Sequence, residues 1–172
     1  IDVQNDFCAK KGIIAKSDRN ISPIEQAIKN LQQFIDEARH HNIPIIFFRL
    51  VYDPKKIPQT NIERLKIKNA EGLCAPRSWG IAFYRIEPKP QLGDIVFEKN
   101  YYSAFQQTPL EAWLKKHQID TIIITGVTTH ICPLLTGAEA YYRGYKIIAL
   151  KDCLGTYEGQ RFALRYMKEQ FN

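Results

Sequence analysis

Three residues far apart in the chain have side chains that could work together as a nucleophilic centre. Cys132 stands near the predicted start of a helix, six residues past a strand-ending glycine, Gly126. Partial positive charge at a helix N-terminus lowers a thiol pKa and favours the nucleophilic thiolate. Backbone N–H groups at such a start also point at an oxyanion formed beside the sulfur. Asp2 ends a first strand, and Lys99 follows another. A carboxylate can take the thiol proton, and a fixed ammonium stabilises the thiolate. Each residue also has a plainer reading. Most free cysteines are small buried hydrophobes, an aspartate at a strand end (Asp2 or Asp6) often forms a turn, and a lysine after a strand is usually solvated. Their convergence on one edge of one sheet favours chemistry.

That convergence depends on the elements. Ile1-Asp2-Val3 reads as the last residues of a strand. Ser22-Pro23-Ile24-Glu25 reads as a capping box with proline in the first turn, opening a helix to about His41. Its Ile24, Ile28, Leu31, Ile35 and Ala38 share one face. Ile45–Phe48 reads as a buried strand, and Asp94–Phe97 as another. Thr108-Pro109-Leu110-Glu111 predicts a second capping box, with a helix to about Gln118. Thr121–Thr125 is a strand, Ile131 to Arg143 a helix closed by Gly144, Lys146–Leu150 a strand, and Gly159–Gln170 a last helix. Alternating strands and helices imply a parallel sheet covered on both faces. In such a sheet ligands bind beyond the carboxyl ends of the strands. That rule selects Asp2–Phe7, Glu98–Phe105 and Gly126–Cys132. The segment Val51–Glu87, with its prolines, a basic helix-like piece and Arg77-Ser78-Trp79-Gly80, reads as a long, partly ordered loop forming a functional wall or lid.

Composition narrows the class. The 172 residues fit one domain over 1–172. A chain of this length buries roughly 70% of its unfolded surface and needs no disulfide or metal for its core. With 45% hydrophobic and 24% charged residues it is an ordinary globular sequence, and no apolar run is long enough to cross a bilayer. A soluble domain with no membrane partner is expected. Lys and Arg number 24 against 18 Asp and Glu, giving +6. The basic residues are dispersed in pairs, so no nucleic-acid partner is expected; a surface favouring small anions fits better. Cysteines 8, 74, 132 and 153 show neither a C-x-x-C pair nor zinc spacing, which suggests a reducing, cytoplasmic compartment.

Asp2-Val3-Gln4-Asn5-Asp6-Phe7, Lys99 with Tyr102-Ser103-Ala104-Phe105, and Gly126-Val127-Thr128-Thr129-His130-Ile131-Cys132 together resemble the isochorismatase-like cysteine hydrolases. Trp79-Gly80 and the stretch from Ala138 to Asp152 share the likeness, which runs in order along essentially the whole chain. The resemblance implies a three-layer α/β/α sandwich on a doubly wound, mostly parallel sheet of strand order 3-2-1-4-5-6, with this chain stopping before the sixth strand. It maps a catalytic triad onto Asp2, Lys99 and Cys132. It also implies a cis peptide at Val127–Thr128 that turns the Thr128 N–H toward the Cys132 N–H as an oxyanion hole. Pro133 stands where the family usually has an aliphatic residue, but the first helical turn does not need the N–H it removes. Oligomers are usual in the family, so a homo-oligomer is expected.

Nicotinamidases of that family hold a divalent metal with an Asp and several His beyond the second strand. Here no histidine occurs between His41 and His117, so no metal, no cofactor and no nicotinamidase activity is expected. The isochorismatase branch cleaves a vinyl ether and typically lacks the nucleophilic cysteine. The presence of Cys132 therefore favours hydrolysis of an amide or related C–N bond of a small molecule through a thioester. The competing readings are ether hydrolysis and a non-enzymatic binding or assembly subunit. Phe7, Trp79, Tyr102 and Phe105 are candidate walls for a small planar substrate, with plain core packing as the alternative for each. His130 is expected to line the pocket or be satisfied by a polar neighbour rather than to act as a general base. Cys8, Cys74 and Cys153 are expected to be structural.

Overall fold

The computed structural model describes residues 1–85 and 94–171; the last two residues of the Val51–Glu87 segment lie outside them. Two short helices, α1 (Asn5–Cys8) and α2 (Ile13–Lys16), precede the long α3 (Ser22–His40). Strand β1 (Ile46–Leu50), α4 (Gln59–Ile67) and a 3₁₀ turn (Trp79–Ile81) come next. Then follow β2 (Ile95–Lys99), α5 (Leu110–Lys116), β3 (Thr121–Val127), α6 (Cys132–Tyr142), β4 (Lys146–Gly155) and α7 (Gln160–Gln170).

Strands β1 and β2 pair in parallel from Ile46 opposite Ile95 to Leu50 opposite Lys99. Strands β3 and β4 also pair in parallel, with a register shift between Ile124 and Gly126. Residues 1–3 join the two pairs. Asp2 N–H donates to Phe48 O, Ile1 N to Thr125 O and Val127 N–H to Ile1 O, each at 3.0 Å. Counting residues 1–3 as the first strand, the order is 3-2-1-4-5, and among the described residues no strand follows α7. Gly126 permits the join: it has φ 110°, and a Cβ there would lie 2.1 Å from Ile1 O.

Alternation along the strands feeds two cores. Phe47 and Cys153 face the cluster built on Ile24, Ile28, Leu31 and Ile35 of α3. Their neighbours Phe48 and Leu154 face Leu110 and Leu114 of α5, Ala140 of α6 and Met167 of α7. The result is the α/β/α layering expected. Among the described residues no helix is long and apolar enough to cross a membrane.

Several local expectations need correction. Neither capping box forms. Ser22 lies inside α3, where its N–H donates to Asn20 Oδ1 at 3.0 Å, so an asparagine from outside the helix satisfies that orphan donor. Pro109 is the N-cap of α5, and Thr108 Oγ1 accepts the Leu110 N–H at 3.3 Å. The basic helix-like piece expected in the Val51–Glu87 loop is α4, and a 3₁₀ turn follows it at Trp79–Ile81. Strand β4 continues to Gly155 because pairing resumes beyond the register shift, with Gly126 opposite Leu154 and Val127 opposite Gly155.

Candidate active site

The carboxyl ends of the strands bury charge. Asp2 is fully buried and adopts a left-handed backbone (φ 56°), a conformation its short polar side chain tolerates. The Gln4 N–H closes a tight turn onto Asp2 O at 2.8 Å, which ends the strand there. Lys99, the last residue of β2, is also fully buried. Its Nζ lies 2.8 Å from Asp2 Oδ2, and donates to Tyr101 O at 3.0 Å and Tyr102 O at 3.1 Å. Two carbonyls accept hydrogen bonds from the ammonium, and the carboxylate balances its charge. Outside water, such charges persist only when paired in this way.

Cys132, the first residue of α6, sits against this pair at 3% exposure, its thiol in side-chain contact with both Asp2 and Lys99. Burial is the largest influence on the thiol and pushes its pKa up; Lys99 pulls it down, Asp2 pushes it up, and the net shift is upward. This departs from the low-pKa thiol expected of a helix start. Loss of water and the neighbouring carboxylate outweigh Lys99. Burial pulls Lys99 down, but the negative charges of Asp2 and an ionised Cys132 more than offset it, and its pKa is raised.

The peptide bond Val127–Thr128 is cis. Among the described residues, the N–H groups of Thr128 and Cys132 donate to no protein acceptor. One is the N–H of the thiol's own residue, the other that of the residue four before it. The family model of the isochorismatase domain matches residues 1–172. The chain belongs to the isochorismatase family.

Its relatives include ureidoacrylate amidohydrolase of Methylobacterium radiotolerans, 28% identical over 166 residues, covering 88% of this chain and 64% of the relative. The chain thus spans just under two thirds of the length of this relative and of a second ureidoacrylate amidohydrolase, from Methylorubrum extorquens. Among solved structures, a cysteine hydrolase from Pseudomonas syringae pv. phaseolicola superposes with a TM-score of 0.85 at 22% identity, covering 99% of this chain and 83% of that one. A nicotinamidase from Bacillus subtilis superposes with a TM-score of 0.83 at 24% identity, covering 99% and 92%. These likenesses establish the shared fold.

The isochorismatase-family motif at the N-terminus acts as a clamp. Gln4, fully buried, accepts the Leu50 N–H at 2.8 Å and donates to Leu50 O at 2.9 Å and Ile81 O at 3.1 Å. It replaces a strand partner at the end of β1 and ties the 3₁₀ turn to it. Asn5 Nδ2 donates to Trp79 O at 2.9 Å, and Asp6 Oδ2 accepts the Cys74 N–H at 2.7 Å. A Cβ at Gly80 would lie 1.9 Å from Asp6 Oδ2, which accounts for the glycine of the Trp79-Gly80 pair.

The candidate walls divide. Phe7 is a core residue and Tyr102 packs against the same cluster. Trp79 is 46% exposed beneath Lys11, whose Nζ lies 4.4 Å from a ring centroid. Phe105 belongs to the opposite core, 5.9 Å from the Tyr145 ring and 4.9 Å from the Arg143 guanidinium, so core packing describes it. His130 Nδ1 is 2.7 Å from Thr156 Oγ1, and its ring packs edge-on to Tyr157; burial lowers its pKa. It is satisfied by that hydroxyl. Cys8, Cys74 and Cys153 are buried free thiols, each with its pKa raised chiefly by burial.

Sequence reasoning missed Tyr52, which is buried just beyond β1 with its N–H donating to Cys74 O at 3.0 Å. Burial raises its hydroxyl pKa, and Tyr102 and Cys132 add to that shift. Only its place beyond a strand's carboxyl end could have drawn attention to it. Among the described residues no group of three or more His, Cys, Asp or Glu is placed to hold a metal ion.

Proposed function

We propose that this chain is a cysteine-dependent hydrolase that cleaves an amide or ureido C–N bond of a small molecule through a thioester. The buried Asp2–Lys99 pair, 2.8 Å apart and set against the Cys132 thiol, carries this reading. Asp2 takes the proton of Cys132 as its sulfur attacks the carbonyl carbon, and Lys99 offsets the negative charge. The N–H groups of Thr128 and Cys132 hold the oxyanion. The C–N bond breaks and the amine leaves with the proton held by Asp2. A water molecule, deprotonated by Asp2, then attacks the thioester carbon. The C–S bond breaks, the acid leaves, and the proton returns to sulfur.

The amidohydrolase name of a 28% identical relative supports the C–N bond as the target. Four buried free cysteines fit a reducing cytoplasm. Exposed aromatic residues on α6 and α7, among them Tyr142, Phe162 and Tyr166, fit assembly with further copies. A panel of primary amides, ureides and isochorismate, assayed for ammonia and pyruvate, tests the function. Ammonia released by the parent chain and not by Cys132→Ser is expected. Pyruvate from isochorismate, retained in that variant, would assign ether hydrolysis instead.

A further inference from the structure

The hydrolase chemistry proposed above needs an ammonium held in one place beside the thiol. Lys99 is the last residue of β2, so pairing with Leu50 fixes its backbone, but a flexible four-carbon stem separates that backbone from the charge. The position of Nζ is set instead by its surroundings: Asp2 Oδ2 at 2.8 Å, Tyr101 O at 3.0 Å and Tyr102 O at 3.1 Å. Two of these three neighbours are backbone carbonyls of the segment that follows β2. Where that segment lies therefore decides where the ammonium lies.

Residues 100–105 form neither helix nor strand, so no ladder of their own holds them. They are anchored at Ala104, which is fully buried in the apolar cluster with Ile124 and Ala140. An N–H without an acceptor is costly in such surroundings. The Ala104 N–H donates to Thr136 Oγ1 at 3.0 Å, and the Ala104 carbonyl accepts the Thr108 hydroxyl. Apart from the bonds accepted from Lys99, the bond to Thr136 is, among the described residues, the only hydrogen bond by which the backbone of 100–105 reaches a helix or strand. Thr136 is buried on α6 four residues after Cys132, and so lies on the same helix face one turn on. One helix thus carries the thiol at its first residue and, a turn later, the anchor of the segment that holds the lysine. Packing alone does not call for a hydroxyl there, since valine has nearly the same shape and accepts no hydrogen bond.

We propose that Thr136 is a positioning residue of the reaction: by fixing Ala104 it places the two carbonyls that hold the Lys99 ammonium against the Cys132 thiol. The proposal rests on the hydrolase reading, in which Lys99 offsets the charge on sulfur. The test is the rate at which iodoacetamide alkylates Cys132 at about pH 8.5, read by peptide mass spectrometry, which requires no knowledge of the substrate. A misplaced ammonium stabilises the thiolate less, so Thr136→Val should slow labelling about 5- to 10-fold, the scale of one buried hydrogen bond. Thr136→Ser keeps the acceptor and should stay within about twofold of the parent. In the Asp2→Asn/Lys99→Met background no ammonium remains to be placed, and adding Thr136→Val should change the rate by less than about twofold. If Thr136→Val does not fold, Thr108→Val breaks the other bond to Ala104 and should slow labelling about threefold, again only where Lys99 is present. A rate unchanged in the valine variant, or slowed equally in both backgrounds, overturns the proposal and leaves the hydrolase reading standing. Labelling of Cys132 in the parent no faster than labelling of Cys8, and independent of Lys99, overturns the hydrolase reading and the role of Thr136 with it.

Discussion

The two ends of the same strands solve opposite problems. At the amino ends of β1 and β3 the chain buries mostly apolar side chains in the two cores on either face of the sheet. At the carboxyl ends it buries a lysine and an aspartate completely. A buried ion pair is a poor way to stabilise a fold, since well-packed apolar residues of similar volume do as well or better. The apolar end accounts for cohesion, and the charged end is explained by the thiol it touches. Substitutions at the two ends should therefore separate stability from turnover.

The largest effect belongs to the charged end. Cys132→Ser should lower turnover by at least about 10,000-fold, measured as ammonia release, because it removes the attacking group of a unit whose members act together. Thermal unfolding should change little, since the two side chains are close in size. Lys99→Met leaves Asp2 buried without its partner and should cost about 3–5 kcal/mol in denaturant unfolding, as well as activity. Adding Asp2→Asn to Lys99→Met should restore much of that stability and none of the turnover. Recovery of turnover in the double variant would contradict the roles given to both residues.

At the apolar end the order reverses. Ile124 is 2% exposed, in the core with Leu110, Leu114 and Ala140. Ile124→Ala should cost about 2–4 kcal/mol of stability. The kcat of the folded protein, measured well below the melting temperature, should stay within about twofold, because Ile124 is remote from the reacting atoms. A loss of kcat comparable to that of Lys99→Met would mean that the two ends are not separable.

The smallest effect concerns His130, beside the site and outside its proposed chemistry. Burial holds its pKa below the ordinary value, partly offset by Glu158 and reinforced by Arg19. The unfolded chain then binds a proton first. Stability from the neutral ring is full above about pH 6.5 and is lost as pH falls from there to the folded-state pKa. The parent protein should lose more thermal stability between pH 7.5 and 5.5 than His130→Asn, by a degree or two at most. An equal loss in both would remove His130 as the cause.

Much of this contrast was legible in the sequence because strand ends and helix starts leave local signals. Asp2, Lys99 and Cys132 were found from their places after strands and before a helix, and the structure brings them together. The apolar faces of α3 and the four paired strands followed from period and composition. Side-chain detail did not. The boxes at Ser22 and Thr108 look correct as patterns, but the Asn20 side chain and the placement of Pro109 shift the caps. Cys132 seemed acidic because a helix start is visible in a sequence and desolvation is not. Phe105 stood in a motif beside Tyr102, yet the chain turns between them and sends the two rings to opposite cores. Tyr52 and Arg64 come from a segment with weak periodicity, so only folding reveals that both approach Tyr102.

The central claim is that Cys132 forms a covalent bond to substrate with Asp2 as proton carrier. The most direct measurement is a rapid acid quench of the protein with an amide or ureide that it turns over, followed by mass spectrometry of the peptide containing Cys132. In the parent chain that peptide should carry the substrate's acyl group transiently, and in Asp2→Asn the adduct should not build up on the same timescale. Steady turnover with no adduct on Cys132 at any quench time, together with activity retained in Cys132→Ser, would contradict the account.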